Sequence, residues 1–286
     1  MNQNKMNQIE NKSINRIQRM LDSEFISLPL LFETLSKEHP IVVIPLIIKK
    51  NRVLFRVRIN NENGCFGSIS QLSYPPASKS SLMRASLPNH PMFYGVLPDK
   101  DLESNNIYPR IVALYETCEE LRDPNFSGCK LVTFSKWRVK EDLHIFSFPV
   151  SNNYKNYTYN SMNIRDYWKE QFVPYISHEQ ASFSEYIGDI MAIDGSNSIY
   201  EISANSIHYV LCDDVVKSGY QGVTYPSQVL NGMGPNVALT PKTADNCCQL
   251  ESVVTSVFKK EKDNTDLIDL LSAEWDENGV MRWQNL

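Results

Sequence analysis

Two prolines hold the stretch from Arg84 to Glu116 to a narrow set of folds. Pro91 opens the apolar run Pro91-Met92-Phe93-Tyr94-Gly95-Val96, and Pro109 precedes Ile111-Val112-Ala113-Leu114-Tyr115-Glu116. Proline fixes φ and has no amide proton, so it begins strands and helices and is poorly tolerated inside them. The stretch therefore reads as turn, short strand, polar loop and a helix that starts at Pro109. It carries a cation at its start (Arg84), an aromatic hydroxyl on the strand (Tyr94) and a carboxylate at the far end of the helix (Glu116). Arginine presents a planar fork of donors suited to phosphate oxygens. Tyrosine offers a ring face for a heterocycle and a hydroxyl for a hydrogen bond. A carboxylate set among apolar residues can stabilise a developing positive charge. Together these suit a phosphate-bearing nucleoside whose glycosidic bond is to be broken.

The rest of the chain supplies a scaffold. Residues 1 to about 8 read as disordered, and apolar residues at helical spacing predict a helix over 9–21 and a second over 23–35. Val42–Ile48 and Val53–Ile59 read as strands joined by a turn at Lys49-Lys50-Asn51. In the second strand Arg56 and Arg58 alternate with Val53, Phe55, Val57 and Ile59, so both arginines project from one face. Residues 60–90 read as a long loop that delivers Arg84. On the helix after Pro109, Tyr108, Ile111, Val112, Tyr115 and Cys118 form the expected buried stripe, with Glu116 on its flank and the helix ended by Glu119. Lys130–Val139 and Asp142–Pro149 read as a hairpin. Asn163–Ile193 reads as two aromatic helices broken near Ser177, with Trp168, Phe172, Tyr175, Phe183, Tyr186 and Ile190 in the core. A helix is expected over Ile207–Lys217, short strands over Gly222–Ser227 and Pro235–Thr240, a strand near Val253–Phe258, and a helix over Thr265–Trp275.

Composition limits the function classes. The chain has 286 residues, 42% of them hydrophobic and 21% charged, as in ordinary globular proteins. A net charge of −5 argues against a nucleic-acid surface, which needs a clustered basic face. The six cysteines form no Cys-x-x-Cys pair and the five histidines no His-x-x-x-His pair, so free thiols in a reducing cytoplasm are expected, and no metal. The polar N-terminus lacks a signal peptide's apolar core, and the longest apolar run, Ile41–Ile48, is too short to span a bilayer. Ser227 has no Gly-x-Ser-x-Gly context, which argues against a nucleophile and for a hydroxyl that bonds the substrate or caps a turn.

The order and spacing of these residues resemble the RES domain, a family named for its Arg, Glu and Ser. Its members are similar to ADP-ribosyltransferases in fold and degrade NAD. The family's pattern Gly-Arg-x-Asn-x-Pro-Gly-x-Pro-x-x-Tyr is matched by Arg84, Pro91 and Tyr94 without a gap, and its Ala-x-x-Glu by Ala113-Leu114-Tyr115-Glu116. Its late Tyr-Pro-Ser and Asn fall on Tyr225-Pro226-Ser227 and Asn236, and its early arginine on Arg56 in Leu54-Phe55-Arg56. Met83, Ser86 and Asn89 replace a glycine, an asparagine and a turn glycine of the pattern. The resemblance covers about residues 50–245.

The resemblance implies an α+β fold with an ADP-ribosyltransferase-like split mixed sheet and flanking helices. The NAD-degrading domain it implies spans 51–245; the residues themselves predict a helical segment over 1–50 before it and, since Leu267, Leu270 and Leu271 need cover, an extension over 246–286 that packs on it. Glu116 would stabilise the oxocarbenium-like state as the nicotinamide–ribose bond breaks, with water or phosphate as acceptor. Arg56, preferred over Arg58, and Arg84 would hold the pyrophosphate; Tyr94 would pack on nicotinamide or its ribose; Ser227 and Asn236 would bond the substrate. NAD is then a substrate and no cofactor is needed. Family members commonly act as toxins restrained by an antitoxin, which implies a partner that plugs the cleft. Oligomeric state stays open, a homo-oligomer included. Two alternatives keep the fold: transfer of ADP-ribose to a macromolecule, and an inactive module that binds NAD or a partner.

Overall fold

The computed structural model describes residues 40–61, 64–98, 107–151, 159–192, 197–212, 219–227, 235–261 and 264–286. The helices expected over 9–21 and 23–35 lie outside these. In chain order the elements are β1 (Ile44–Ile48), β2 (Val53–Ile59), α1 (Ile69–Leu72), β3 (Phe93–Val96), α2 (Ile107–Thr117), α3 (Glu119–Arg122), β4 (Gly128–Val139) and β5 (Leu143–Ser147). Then follow α4 (Tyr159–Gln171), α5 (His178–Met191), α6 (Asn197–Leu211), β6 (Gly222–Pro226), β7 (Pro235–Leu239), α7 (Pro241–Cys247), β8 (Cys248–Glu261), β9 (Asn264–Trp275) and β10 (Met281–Asn285). The fold is α+β, with one mixed sheet ordered β1-β5-β6-β7-β3-β2-β4-β8-β9-β10. The β5–β6 pair is parallel and the other pairs are antiparallel.

The hairpin expected over Lys130–Val139 and Asp142–Pro149 does not form, and the turn at Lys49–Asn51, which is present, does not pair the two strands it joins. β1 pairs with β5, and β2 with β4, so the chain bends where a hairpin would have folded back. Asn51 adopts φ 70°, and its amide donates to the Val139 carbonyl at 2.8 Å. The facing bend carries Asp142, whose carboxylate accepts from the Lys50 amide at 2.8 Å and the Lys49 ammonium at 2.9 Å. Asn tolerates the left-handed backbone such a bend needs. The ribbon of β1–β2 against β4–β5 thus runs through a corner, and β6, β7 and β3 link its two halves.

β2 and β3 meet at a single residue pair, Phe55 with Val96, while all of β3 pairs with β7. Beyond Phe55 the two strands part and leave an opening in the sheet. Arg56 reaches across it and donates to the Tyr94 carbonyl at 2.7 Å.

Among the described residues four apolar clusters build the body, a small one around Ile44, Trp168 and Ala181 and three larger ones. Phe146, Phe183, Ile187, Ile202 and Ile207 pack α5 and α6 on one face, and Leu54, Phe93, Trp137, Leu143 and Leu250 fill the other. The third joins Val112, Ala113 and Cys118 of α2 and its flank to Val53, Phe55 and Val57 of β2 and to Phe258 of β8. Full burial of such side chains stabilises by about 1.5–3 kcal/mol each. Ile111, expected in the stripe of α2, is 39% exposed, because Val112 and Ala113 face the sheet instead. The helix begins at Ile107, which leaves Pro109 in the first turn, where amides lack helical partners.

Other expectations need correction. The loop over 60–90 contains α1 and a 3-10 turn at Ala77–Lys79. Ser177 does break the aromatic helices, as the N-cap of a capping box with Gln180. Tyr175, however, is 83% exposed, since the 3-10 turn Val173–Tyr175 points it outward. α6 starts ten residues before Ile207. The helix expected over Thr265–Trp275 is strand β9, which pairs with β8 and β10. These C-terminal strands also hold α2: Arg110 donates to Asp269 at 3.0 Å and to Ser256 at 2.9 Å, with its guanidinium 4.2 Å from the Phe134 ring centre. No helix among the described residues is long and apolar enough to cross a membrane.

Candidate active site

A cavity of about 590 Å³ lies at the opening between β2 and β3, within the size range of small-molecule sites. Its walls are β2, the loop over 75–86, and the C-terminal end of α2 with α3. Arg56, Arg84, Tyr94, Glu116 and Asn236 line it. Ser227 does not; it is fully buried behind Glu116 and donates its hydroxyl to the Glu116 carboxylate.

The Arg84 loop is clamped from several sides. Pro88 and Asn89 make a turn closed by the His90 amide on the Leu87 carbonyl at 2.9 Å, with Asn89 at φ 65°. Asn thus fills the left-handed position that the turn demands. The Tyr94 hydroxyl accepts from the Ala85 amide at 3.0 Å and lies 2.9 Å from Ser86 Oγ. α6 adds Ser203, donating to the Arg84 carbonyl at 2.8 Å, and His208, whose Nε2 is 3.1 Å from the Ala85 carbonyl. Burial pushes the Tyr94 hydroxyl up to about 12, so it stays protonated across the physiological range.

The arginines are anchored as well as charged. Arg84 is only 8% exposed; its Nη1 donates to the Ile190 and Met191 carbonyls at 3.2 and 3.0 Å, and its guanidinium lies 5.3 Å from the Tyr200 ring centre. Those carbonyls end α5, where a cation also meets the negative end of the helix dipole. Arg56 donates Nε to the Leu72 carbonyl at 3.1 Å as well as Nη1 to Tyr94. Burial, with the neighbouring Arg58 charge, lowers the Arg56 guanidinium to about 10. Arg58 donates to the Gln71 carbonyl beside it. The shared face expected for Arg56 and Arg58 is present, and the cavity takes both.

Glu116 sits one residue from the end of α2, an electrostatically unfavourable place for a carboxylate. Arg122 of α3 offsets this by donating to the Tyr115 and Glu116 carbonyls. Arg122, Lys79 and Tyr200 also line the cavity and were missed in the sequence, and Tyr225, noted there only as part of the Tyr-Pro-Ser match, lines it too. Tyr225 adjoins Pro226-Ser227, and Arg122 lies six residues beyond Glu116, so local context marks both. Lys79 and Tyr200 carry no such mark. The balance is cationic: Arg56, Arg58, Lys79, Arg84 and Arg122 against Glu116 and Glu119, in a chain of net charge −5. Such a lining attracts an anion and concentrates its field.

The Ser227–Glu116 bond makes a testable demand. Ser227→Ala is expected to lower turnover of the substrate by about tenfold, the scale of one hydrogen bond to a charged group. Steady-state rates beside a thermal melt check this; an unchanged rate means Glu116 is oriented without Ser227. Among the described residues no group of three or more His, Cys, Asp or Glu is placed to hold a metal ion, and all six cysteines are free thiols. No protein-family model matches the chain, and a search of curated proteins finds no match.

Proposed function

We propose that this chain degrades NAD by cleaving the bond between nicotinamide and ribose, on an ADP-ribosyltransferase-like fold. One observation carries the reading: a carboxylate, Glu116, held by a buried hydroxyl in a cavity whose other charges are mostly cationic. The nicotinamide nitrogen is already cationic, so the ring leaves without a general acid. The transition state resembles an oxocarbenium ion, as in glycoside cleavage. Glu116 faces that charge and holds the ribose hydroxyls. Arg56 and Arg84, both anchored on backbone carbonyls, bring their positive charge to the pyrophosphate. The Tyr94 ring packs on the nicotinamide end, while its hydroxyl fixes the loop. Ser227 acts through Glu116, and Asn236, 7% exposed on β7, bonds the substrate. Water or inorganic phosphate accepts the ADP-ribose.

The resemblance to RES motifs supports the same reading. It extends the proposal to a toxin in a reducing cytoplasm, restrained by an antitoxin that plugs the cavity. Incubation of the pure protein with NAD, with and without phosphate, tests it: nicotinamide should appear, with ADP-ribose or its 1″-phosphate as co-product. Intact NAD after prolonged incubation overturns the reading. One observation favours transfer to a macromolecule as a second reading: Glu119 lines the cavity beside Glu116, where a second carboxylate can orient an acceptor. Labelled NAD in lysate, followed by mass spectrometry, separates the two.

A further inference from the structure

The cavity holds more positive charge than NAD requires. NAD brings two phosphate charges and one opposing pyridinium charge. Five cations face two carboxylates here, an excess of three. Their placement matters as much as their number. Arg84 is buried at the end of α5, and Arg56 bridges the opening in the sheet. Arg122 is committed to the carbonyls that end α2. Arg58 and Lys79 remain. Lys79 is exposed at the mouth on the 3-10 turn Ala77–Lys79, and its ammonium has no hydrogen bond or ion pair among the described residues. Arg58 spends Nη1 on the Gln71 carbonyl, lies 5.2 Å from the Phe66 ring centre and keeps the rest of its fork. Arg56 and Arg58 are like charges on one strand face, a repulsion that an anion between or beside them relieves.

Glu116 fixes which end of a dinucleotide is inside. It is half-buried, so the nicotinamide ribose enters first and the adenosine end lies at the mouth. Resting on the substrate class proposed above, we infer that the site is built for a dinucleotide with a third phosphate on its adenosine ribose, an NADP-type ligand, held between Arg58 and Lys79. A phosphate monoester carries about −1.5 to −2 charges at neutral pH and three strong acceptors, so its addition matches the excess. The guanidinium of Arg58 offers a fork and the Lys79 ammonium a point charge, the two ways side chains bind phosphate. Glu119 is exposed on α3, with Arg122, and lines the same cavity as Lys79.

Calorimetric titration of the pure protein with NADP and with NAD, run alongside nicotinamide release from each, tests the inference. NADP should bind about tenfold tighter than NAD at low salt, and Lys79→Ala should remove most of that ratio, the scale of one charged hydrogen bond. Lys79 is exposed, so this variant keeps the fold, and NAD serves as the internal reference. NAD binding as tightly as NADP, or a ratio unmoved by Lys79→Ala, overturns the inference. NAD cleaved while NADP is refused leaves the reaction standing and removes the third phosphate. NADP bound with a Lys79-dependent preference but neither dinucleotide cleaved does the reverse. If neither binds, both readings fall.

Discussion

Glu116→Gln is expected to lower NAD turnover by roughly a hundredfold or more while NAD affinity changes little, the scale for loss of one preorganised electrostatic contact. The exchange keeps size and an acceptor for the Ser227 hydroxyl, so the buried contact survives. It removes the negative charge alone. A charge that opposes an oxocarbenium-like centre acts far more in the transition state than in the ground state, and its loss therefore falls on kcat. Stability should shift little, because the carboxylate is half-buried at a cavity wall. Glu119→Gln, a neighbour lining the same cavity, is the positional control. NAD consumption and thermal melting of the three proteins decide the matter. Loss with Glu119→Gln and none with Glu116→Gln reassigns the carboxylate; loss with neither removes the mechanism.

Gly188→Ala should destabilise the protein by about 3 kcal/mol or more, at or beyond the upper end for overpacking. A Cβ at Gly188 would lie 1.7 Å from the Pro149 carbonyl oxygen and 2.6 Å from its carbon. Both are backbone atoms, so no side chain can swing aside. Alanine's better helix propensity returns only about 1 kcal/mol. For a chain of this size the melting temperature should drop by roughly 6–12 °C. Activity should fall too, because α5 ends on the carbonyls of Ile190 and Met191, which hold Arg84. Gly67→Ala, whose Cβ would meet only Gln71 Oε1 at 3.8 Å, controls for the glycine change itself. A Gly188→Ala protein that melts with the parent sinks the argument.

The site's local chemistry was legible because it depends on short spacings. Alternation along β2 places Arg56 and Arg58 on one face, and Pro88-Asn89 specifies a turn with a left-handed third residue. Pairing was not legible. Lys49–Asn51 marks a change of direction, but a turn signal does not say which strand lies alongside, and here the ribbon turns a corner instead of folding back. β9 misled for another reason. Leu267, Leu270 and Leu271 have helical spacing, and the strand is largely exposed on both faces, so the two-residue alternation of a half-buried strand is missing. Pairing with β8 and the Arg110–Asp269 contact overrode that pattern. The early part of α6 is rich in serine, a weak helix former, yet Ser203 and Ser206 are buried and bonded to carbonyls. Their contacts lie more than a hundred residues away for Ser203 and one turn away for Ser206. Ser227 gave no sign of its role, since its partner Glu116 is 111 residues distant.

The pairing of β4 with β8 has a consequence in time. The ladder joins Val139 to Cys248 at one end and Gly128 to Lys260 at the other. On a ribosome adding about 5–20 residues per second, β4 waits roughly 5–26 s for that partner. Every residue that lines the cavity, Asn236 being the last, is made before β8 is complete. Yet α2, which carries Glu116, is tied down by Ser256 of β8 and Asp269 of β9, strands made after the whole cavity lining. A nascent chain thus possesses all the chemistry of the site before it possesses the rigidity to use it, and its long bare β4 edge is the surface a chaperone would have to guard meanwhile.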